Sequence, residues 1–181
     1  MRHVLRLMFL ITVSATAWLG TVASVLARRD IDQIAPGIFE GPAPRGAKDY
    51  CRLESLGIKT IVEMRKFYRG KIEHEQQVVA GKGFKYYHVP TGFWPLGDDS
   101  PERALCIIAD PANQPVYFHC NLGQDRSGLV EALYHVRYQG WSRADAFKHM
   151  KQGEFNPLLP GLDRYFWDHS EWTTGNSLDG K

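Results

Sequence analysis

The feature that most constrains the fold is an alternation of short apolar runs with amphipathic segments along residues 36–152. The short runs are rich in β-branched and aromatic residues, which favour strands, and the segments between them place apolar residues at helical spacing. The pattern predicts strands over 37–40, 59–64, 85–89 and 115–119 and helices over 48–56, 74–82, 101–110, 127–139 and 142–152. Such alternation predicts a single α/β domain with a central, mostly parallel sheet of four to five strands flanked by helices.

The first 27 residues differ in character from the rest of the chain. Residues 7–27 contain no charged side chain, follow Arg2 and Arg6, and end in small residues. This order is typical of a secretory signal peptide, and the run is also long enough to span a bilayer as an N-terminal membrane anchor. We therefore predict an exported protein, periplasmic or otherwise extracytoplasmic, with any membrane association through residues 7–27. The remaining segments are predicted to be a linker over 28–35, a folded domain over 36–172 and a flexible tail over 173–181.

Charge and cysteine content exclude several classes of protein. Without the first 27 residues the chain has 20 basic and 20 acidic residues, so it lacks the concentrated basic surface that nucleic-acid binding needs. Three cysteines are too few for a disulfide scaffold, and no two of them have the CxxC spacing of a zinc site. We expect Cys51 and Cys106, which fall in predicted helices, to be core residues. The sequence indicates no metal and no other cofactor.

One loop carries most of the chemistry that the sequence predicts. Residues 119–128 read HCNLGQDRSG and lie between the buried strand PVYFH and a helix. The backbone N–H groups of a tight loop that runs into a helix N-terminus form an anion-binding nest, and a glycine lets such a loop close. The predicted phosphate-binding residues are Asn121, Leu122, Gly123, Gln124, Asp125 and Arg126.

Four side chains in this segment have predicted roles. Cys120 would face the N–H groups and the helix dipole, which lower the pKa of a thiol and favour the nucleophilic thiolate. Arg126 can bind two phosphoryl oxygens with its planar guanidinium group. The Ser127 hydroxyl can donate a hydrogen bond to the Cys120 sulfur and later ease its departure as a leaving group. His119 can support the loop through its ring nitrogens.

This segment resembles the signature of the cysteine-dependent tyrosine and dual-specificity phosphatases, which is His-Cys, five residues, Arg, Ser or Thr, and Gly. Pro-Gly-Ile-Phe, Leu-Gly-Ile-Lys-Thr-Ile-Val and Met-Arg are similar to the amino-terminal half of the compact dual-specificity subgroup. Gly-Gln-Asp-Arg-Ser-Gly and the later Gly-Trp are similar to bacterial, exported members. The resemblance covers about residues 36–155, and only the loop is highly specific.

The resemblance implies a tyrosine-phosphatase-like fold and a phosphomonoester hydrolase that acts through a phosphocysteine intermediate. Its substrate would be a phosphorylated protein or a small phosphomonoester. The resemblance also implies a general acid on the loop before the signature, which reads FWPLGDDSP over residues 93–101. The family pattern of an acid, two residues and proline selects Asp98, and Asp99 is the alternative. Either would protonate the leaving oxygen and then activate the water that hydrolyses phosphocysteine.

Other interpretations of the same residues stay open. Asp98 lies only 22 residues before Cys120, so a helix-capping acid pair is the competing interpretation of Asp98 and Asp99. A phosphate-reading module without turnover is therefore one alternative function. A sulfurtransferase with a persulfide on Cys120 is another, although the Arg-Ser-Gly ending and the candidate acids count against it.

Several residues near the predicted site have two interpretations each. A basic cluster after the second strand either attracts an anionic substrate or forms a solvated loop; it comprises Arg65, Lys66, Arg69 and Lys71. Phe93 and Trp94 either border the pocket or pack against helices. We expect Asp125 to order backbone or Arg126, and Glu131 and His135 to be structural. An aromatic helix near the end of the chain is expected to dock on the core; its aromatic residues are Tyr165, Phe166, Trp167 and Trp172.

Overall fold

A five-stranded sheet forms the centre of the computed structural model, which describes residues 30–95, 97–152 and 155–171. Its strands in chain order are β1 (Asp32–Ala35), β2 (Ile38–Gly41), β3 (Thr60–Arg65), β4 (Lys85–Thr91) and β5 (Val116–His119). Across the sheet the order is β1-β2-β5-β3-β4, and only the β1–β2 pair is antiparallel. The predicted α/β fold with a mostly parallel sheet is confirmed.

Helices cover both faces of this sheet. Within the described ranges they are α1 (Ala47–Ser55), α2 (Arg69–Lys82), α3 (Ser100–Ala109), α4 (Arg126–Gln139), α5 (Arg143–Gln152) and α6 (Pro160–His169), with a 3-10 turn at Pro111–Asn113. None of the helices in these ranges has the length and apolar character needed to cross a membrane. The predicted signal or anchor over 1–27 and the predicted tail over 173–181 lie outside the described residues.

The sheet is buried on both sides because successive side chains of a strand point to opposite faces. In the central strand β5, Val116 and Phe118 belong to one apolar core, which α3, α4, α5 and α6 complete. Tyr117 belongs to the other core, which α1 and α2 complete. The predicted aromatic helix is α6, whose Tyr165 and Phe166 are fully buried in the larger core. Burial on both faces explains why PVYFH contains no aspartate, glutamate, lysine or arginine, since strands of parallel sheets are largely apolar.

Two elements differ from the predictions by more than two residues at a boundary. Asp32–Ala35 form β1, although the sequence pattern assigned them to the linker over 28–35. This edge strand is short and half-exposed, so it lacks the apolar run that marks the inner strands, and only its pairing with β2 defines it. Helix α2 begins at Arg69, five residues before the predicted start at 74. Its first three residues, 69–71, are exposed and polar or glycine, so no apolar pattern marked this start.

The prediction that Cys51 and Cys106 are core residues is wrong. Both thiols are free and exposed. The neighbouring residues Tyr50 and Leu105 are buried instead, so each cysteine lies on the outer face of its amphipathic helix. Helical spacing identified the correct elements, but apolar character alone did not identify which side of each helix faces the core.

The parallel strands place their carboxyl ends at one edge of the sheet, where ligands bind in α/β folds. His119, the last residue of β5, is in register with Gly41 of β2 and with Glu63 of β3. The loop that begins at Cys120 therefore leaves the sheet between the ends of these two neighbouring strands.

Candidate active site

The loop after β5 folds back onto the Cys120 sulfur. The backbone N–H groups of Gln124 and Ser127 donate hydrogen bonds to the sulfur. The Ser127 hydroxyl lies 3.4 Å from the same atom. Cys120 itself is buried. The structure thus brings together the cysteine, the serine and the loop amides that the sequence predicted to converge.

Arg126 adds a positive charge to this arrangement. It is the first residue of α4, is buried, and acts electrostatically on Cys120. Its Nε and Nη1 atoms have no hydrogen-bond partner within the described part of the chain. A buried donor that makes no hydrogen bond is costly, and two donors of one guanidinium match the oxygens of a bound oxyanion. The orientation of Arg126 therefore suits a phosphate held next to the sulfur.

The electrostatics of the loop favour the thiolate form of Cys120. Burial by itself raises the pKa of this thiol. The charge of Arg126, the Ser127 hydroxyl and the N–H groups of Ser127 and Gln124 outweigh burial, so the pKa falls to about 7. About half of the cysteine is therefore ionised at neutral pH, which a nucleophilic thiol requires.

Gly123 allows the loop to press against the chain after β2. Its φ angle is +69°, in the left-handed region that favours glycine. A Cβ at this position would lie 2.4 Å from the Gly41 carbonyl carbon and 2.7 Å from the Pro42 nitrogen. Beside this contact, the Ala43 N–H donates to the Asn121 carbonyl at 3.3 Å. The loop conformation thus depends on a residue without a side chain.

A buried group of four charged side chains lies beside the start of the loop, and we call it the ion group: Glu63, Arg65, Glu75 and His119. The Nε of Arg65 donates to Glu63 at 2.6 Å, and its Nη2 donates to both Glu63 and Glu75. The His119 Nε2 lies 2.8 Å from a Glu75 oxygen, and its Nδ1 lies 2.9 Å from the Cys120 carbonyl oxygen.

His119 is protonated in this environment. Burial alone lowers the pKa of a histidine, but the charges of Glu75 and Glu63 and the hydrogen bonds to Glu75 and Cys120 raise it to about 9. Both ring nitrogens of an imidazolium carry hydrogen, so His119 donates to Glu75 and to the Cys120 carbonyl at once. The predicted supporting contact is present, and it fixes the peptide group of the nucleophile.

The ion group also corrects the interpretation of the basic cluster. Arg65 does not belong to a solvated loop, because it is buried against two carboxylates. Lys66, Arg69 and Lys71 are exposed. The charge of Arg65 is balanced inside the protein and Arg69 pairs with Glu73 at 2.7 Å, so Lys66 and Lys71 are the members of this cluster better placed to attract an anion.

The two predicted acids lie at the start of α3. The Asp98 Oδ1 accepts the Ser100 N–H at 2.9 Å, whereas the N-cap residue Asp99 makes no side-chain capping hydrogen bond. The Asp99 side chain is 77% exposed and lies 3.4 Å from the Nε of Arg103, one turn along the helix. Asp98 thus binds a backbone N–H at the start of α3, Asp99 pairs with Arg103, and the general-acid role of either residue stays a prediction.

Aromatic side chains border the loop on the side of residues 93–94. The guanidinium carbon of Arg126 lies 4.5 Å from the centre of the Phe93 ring, and Phe67 stacks on Phe93 with ring centres 6.1 Å apart. Trp94 packs instead on the start of α6, where a Cβ on Gly161 would lie 2.4 Å from its ring. Phe93 thus borders the site and Trp94 packs against a helix, so each predicted alternative applies to one residue.

The comparisons with known proteins give relatives of one kind, although no family model matches the chain. The dual specificity protein phosphatase TpbA of Pseudomonas aeruginosa is 25% identical over 149 residues, which are 82% of this chain and 63% of that protein. Inositol diphosphatase SIW14 of Saccharomyces cerevisiae is 36% identical over 64 residues, which are 35% of this chain and 22% of the relative. The chain therefore spans less than two thirds of the length of these relatives.

The crystal structure of P. aeruginosa TpbA shares the fold, with a TM-score of 0.64 at 22% identity over 76% of this chain and 83% of that one. A cysteine-to-serine TpbA variant in complex with phosphotyrosine has a TM-score of 0.57 at 19% identity, over 82% and 91% of the two chains. The chain is therefore similar in sequence to dual-specificity and tyrosine phosphatases and shares their fold.

Asp125 orders backbone as predicted, but sequence reasoning missed its partner and two further residues beside the loop. The Asp125 Oδ1 accepts the Asn156 N–H at 2.8 Å, so the loop is tied to a segment 31 residues away. Glu75 supports His119 from α2, and Phe67 stacks beside the loop. Glu63 offered the one usable signal, because an acid inside the apolar run KTIVEM requires a buried cationic partner.

Gly123→Ala should destabilise the protein by about 2–5 kcal/mol, from the left-handed backbone and the close contact with Gly41 combined. Urea unfolding followed by circular dichroism measures the change. Gly81→Ala is the matched control, because Gly81 lies in α2 with nothing within 4 Å of an added Cβ. That control should be neutral or stabilising by about 0.5–1 kcal/mol. Equal stabilities of the two variants would contradict the packing argument.

The pH dependence of Cys120 alkylation should show an inflection near 7, because only the thiolate reacts and its pKa is about 7. Ser127→Ala removes a hydrogen bond to the sulfur, so its inflection should move to higher pH. Iodoacetamide labelling, followed by mass spectrometry of the peptide that contains Cys120, separates this thiol from exposed Cys51 and Cys106. An inflection near 9 in both proteins would show that the loop does not stabilise the thiolate.

Proposed function

We propose that this chain is a cysteine-dependent phosphomonoester hydrolase of the protein tyrosine or dual-specificity type. The observation that carries the proposal is the convergence of a buried guanidinium, two backbone N–H groups and a hydroxyl on one sulfur whose pKa is about 7. Such a set of donors stabilises the thiolate before the reaction and the phosphoryl oxygens during it. Similarity to the dual specificity protein phosphatase TpbA supports the same class of reaction.

The reaction has two chemical steps. In the first, the Cys120 thiolate attacks phosphorus, an S–P bond forms and the P–O bond to the leaving group breaks, while Asp98 donates a proton to the leaving oxygen. Arg126 and the loop N–H groups hold the non-bridging oxygens. In the second, the same aspartate takes a proton from water as water attacks phosphorus. Inorganic phosphate leaves, and the Ser127 hydroxyl stabilises the departing thiolate.

The alternative functions make different demands on the same residues. A binding module needs Arg126 and the loop amides but not the nucleophile or the acid. A sulfurtransferase needs Cys120 as a persulfide carrier but no proton donor for an oxygen leaving group. Activity and binding of the single variants therefore separate the three functions.

Hydrolysis of para-nitrophenyl phosphate should disappear in Cys120→Ser, while phosphate binding is retained. Asp98→Asn should lower kcat by about 10²–10⁴-fold if Asp98 is the general acid. Asp99→Asn is the matched control, because its side chain faces Arg103, and it should stay within about twofold of the unaltered protein. Steady-state kinetics against pH measure these changes.

Each remaining outcome excludes a part of the proposal. A large loss in Asp99→Asn with none in Asp98→Asn would exchange the two roles. Binding of a phosphopeptide without hydrolysis by the unaltered chain would establish the binding module. Thiosulfate-dependent cyanide turnover would establish the sulfurtransferase.

We further propose that the substrate is an aryl phosphate such as phosphotyrosine. Phe93 lies against the Arg126 guanidinium and Phe67 stacks on Phe93, so an aromatic ring attached to the bound phosphate would meet apolar surface. Residues 121–125 contain no lysine or arginine, which a highly charged inositol phosphate would favour. The phosphotyrosine complex of TpbA supports the same choice. Inositol diphosphate hydrolysis is the second candidate, since SIW14 is an inositol diphosphatase.

Phe93→Ala should raise KM for a phosphotyrosyl peptide about 2–10-fold and leave kcat nearly unchanged, because it removes a ring contact and no reacting group. Tyr138→Ala is the control, because Tyr138 is an exposed aromatic residue that stacks on Tyr134 in α4. Parallel assays with an inositol pyrophosphate decide the substrate class. A higher kcat/KM for that substrate, unaffected by Phe93→Ala, would favour the second candidate.

We also propose that the protein is exported and acts outside the cytoplasm. The uncharged run over residues 7–27 after two arginines supports export. Fusion of residues 1–35 to a reporter enzyme that is active only outside the cytoplasm tests this localisation. An inactive reporter would exclude it.

A further inference from the structure

Three side chains that the proposed reaction does not use converge between α4 and α5. Glu131 and His135 lie one turn apart on α4, and His149 lies on α5. The Glu131 Oε1 lies 3.3 Å from the His149 Nε2 and 3.5 Å from the His135 Nε2. All three ligand atoms lie within 4.8 Å of one another.

The hydrogen bonds around His135 assign its tautomer. The Gln139 Nε2 donates to the Ile34 carbonyl at 3.1 Å, so the amide oxygen of Gln139 faces His135. That oxygen lies 2.6 Å from the His135 Nδ1, which must therefore carry the hydrogen. In the neutral form of this tautomer, the lone pair of Nε2 points towards the Glu131 carboxylate.

This lone pair is buried. The His135 side chain is 5% exposed, and its Nε2 has no hydrogen-bond partner in the parts of the chain that the structure describes. It faces a carboxylate oxygen, so two acceptor atoms approach each other in a buried space. Such an arrangement is unfavourable unless a proton or a cation lies between them.

Two of the three separations between the ligand atoms match those around a metal ion, and the third lies within 4.8 Å. A tetrahedral Zn²⁺ ion with bonds of about 2.0–2.1 Å separates its ligand atoms by about 3.3–3.4 Å. The distances from the Glu131 oxygen to the two imidazole nitrogens are 3.3 and 3.5 Å. Glu63, Glu75 and His119 form a second cluster of possible metal ligands. We do not propose a metal ion there, because the Arg65 guanidinium already binds both carboxylates.

Contacts around the cluster hold the two imidazole rings in place. Trp141 stacks on His135 with ring centres 4.2 Å apart and meets the edge of His149 at 5.5 Å. The hydrogen bond from the His135 Nδ1 to Gln139 is of the kind that orients histidine ligands in metal sites. The His149 side chain is 43% exposed, so water reaches the cluster from that side.

We propose that Glu131, His135 and His149 form a binding site for a divalent transition-metal ion, with water as the fourth ligand. Two imidazoles and one carboxylate suit Zn²⁺. The ion would connect α5 to α4, the helix that begins with Arg126 and Ser127. It takes part in no step of the proposed reaction, and its role is to hold the helix pair together.

The metal titration uses the full chain with Cys120→Ser, which removes the active-site thiolate as a competing ligand. After treatment with a chelator, Zn²⁺ is titrated in competition with a chromophoric chelator, and Co²⁺ binding is followed by its visible absorption spectrum. We expect one ion per chain at this site, with a tetrahedral Co²⁺ spectrum. Zn²⁺ should also raise the Tm.

His149→Ala removes a ligand and should weaken Zn²⁺ binding by at least about 100-fold. Gln139→Ala removes only the partner that orients His135, so it should weaken binding by about 10–100-fold. His149→Ala should also abolish the rise in Tm. His149 is partly exposed, and circular dichroism checks that this variant folds. His74→Ala is the matched control for adventitious histidine binding, because His74 is exposed on α2, and it should leave Zn²⁺ affinity unchanged.

Two outcomes would overturn the metal site. One is the absence of Zn²⁺ binding by the chain with His149 intact. The other is equal Zn²⁺ affinity of the His149→Ala and His74→Ala proteins. Either result would make the cluster a proton-bridged histidine–carboxylate group. Neither depends on phosphatase activity, so failure of the metal site and failure of the proposed function are distinguishable.

Discussion

The paired hydrogen bonds of His119 connect the core of the protein to Cys120. One ring nitrogen donates to Glu75, and the other donates to the carbonyl of Cys120. Two buried carboxylates are balanced by the Arg65 guanidinium and the imidazolium, so none of these charges is left unpaired. Loss of one partner would leave an uncompensated buried charge, which is strongly destabilising. The position of the Cys120 peptide is thus fixed by interactions that extend from α2 and β3 to the end of β5.

The remaining loop geometry depends on close backbone contact and on one helix. Gly123 lets the loop touch the chain after β2, and Asp125 ties it to residue Asn156. Arg126 and Ser127 open α4, so the orientation of that helix sets the direction of the guanidinium and the hydroxyl. The Glu131–His135–His149 cluster lies further along the same helix. A single buried helix therefore serves both the anion-binding loop and the cluster, and contacts with its neighbours affect both.

Much of the fold was predictable because its signals are local. The inner strands are apolar runs, the helices have apolar residues at helical spacing, and the loop follows a strand and precedes a helix. The wrong predictions have a common cause, because pairing or packing with residues distant in sequence determines the structure at those positions. Asp32–Ala35 are a strand only because β2 lies beside them. Arg65 is buried because Glu63 and Glu75 surround its guanidinium, whereas its sequence neighbours Lys66 and Phe67 are exposed.

The sequence by itself determined the chemistry of the loop, because a cysteine, an arginine six residues later and the following Ser-Gly lie within one continuous segment. It also determined the alternation of strands and helices that places this loop at the edge of a parallel sheet. Only the tertiary structure decided which distant side chains meet the loop and the helix after it. Glu75 is 44 residues from His119, and His149 is 18 residues from Glu131, so no local pattern connects them. Long-range packing of helices on the sheet sets those distances.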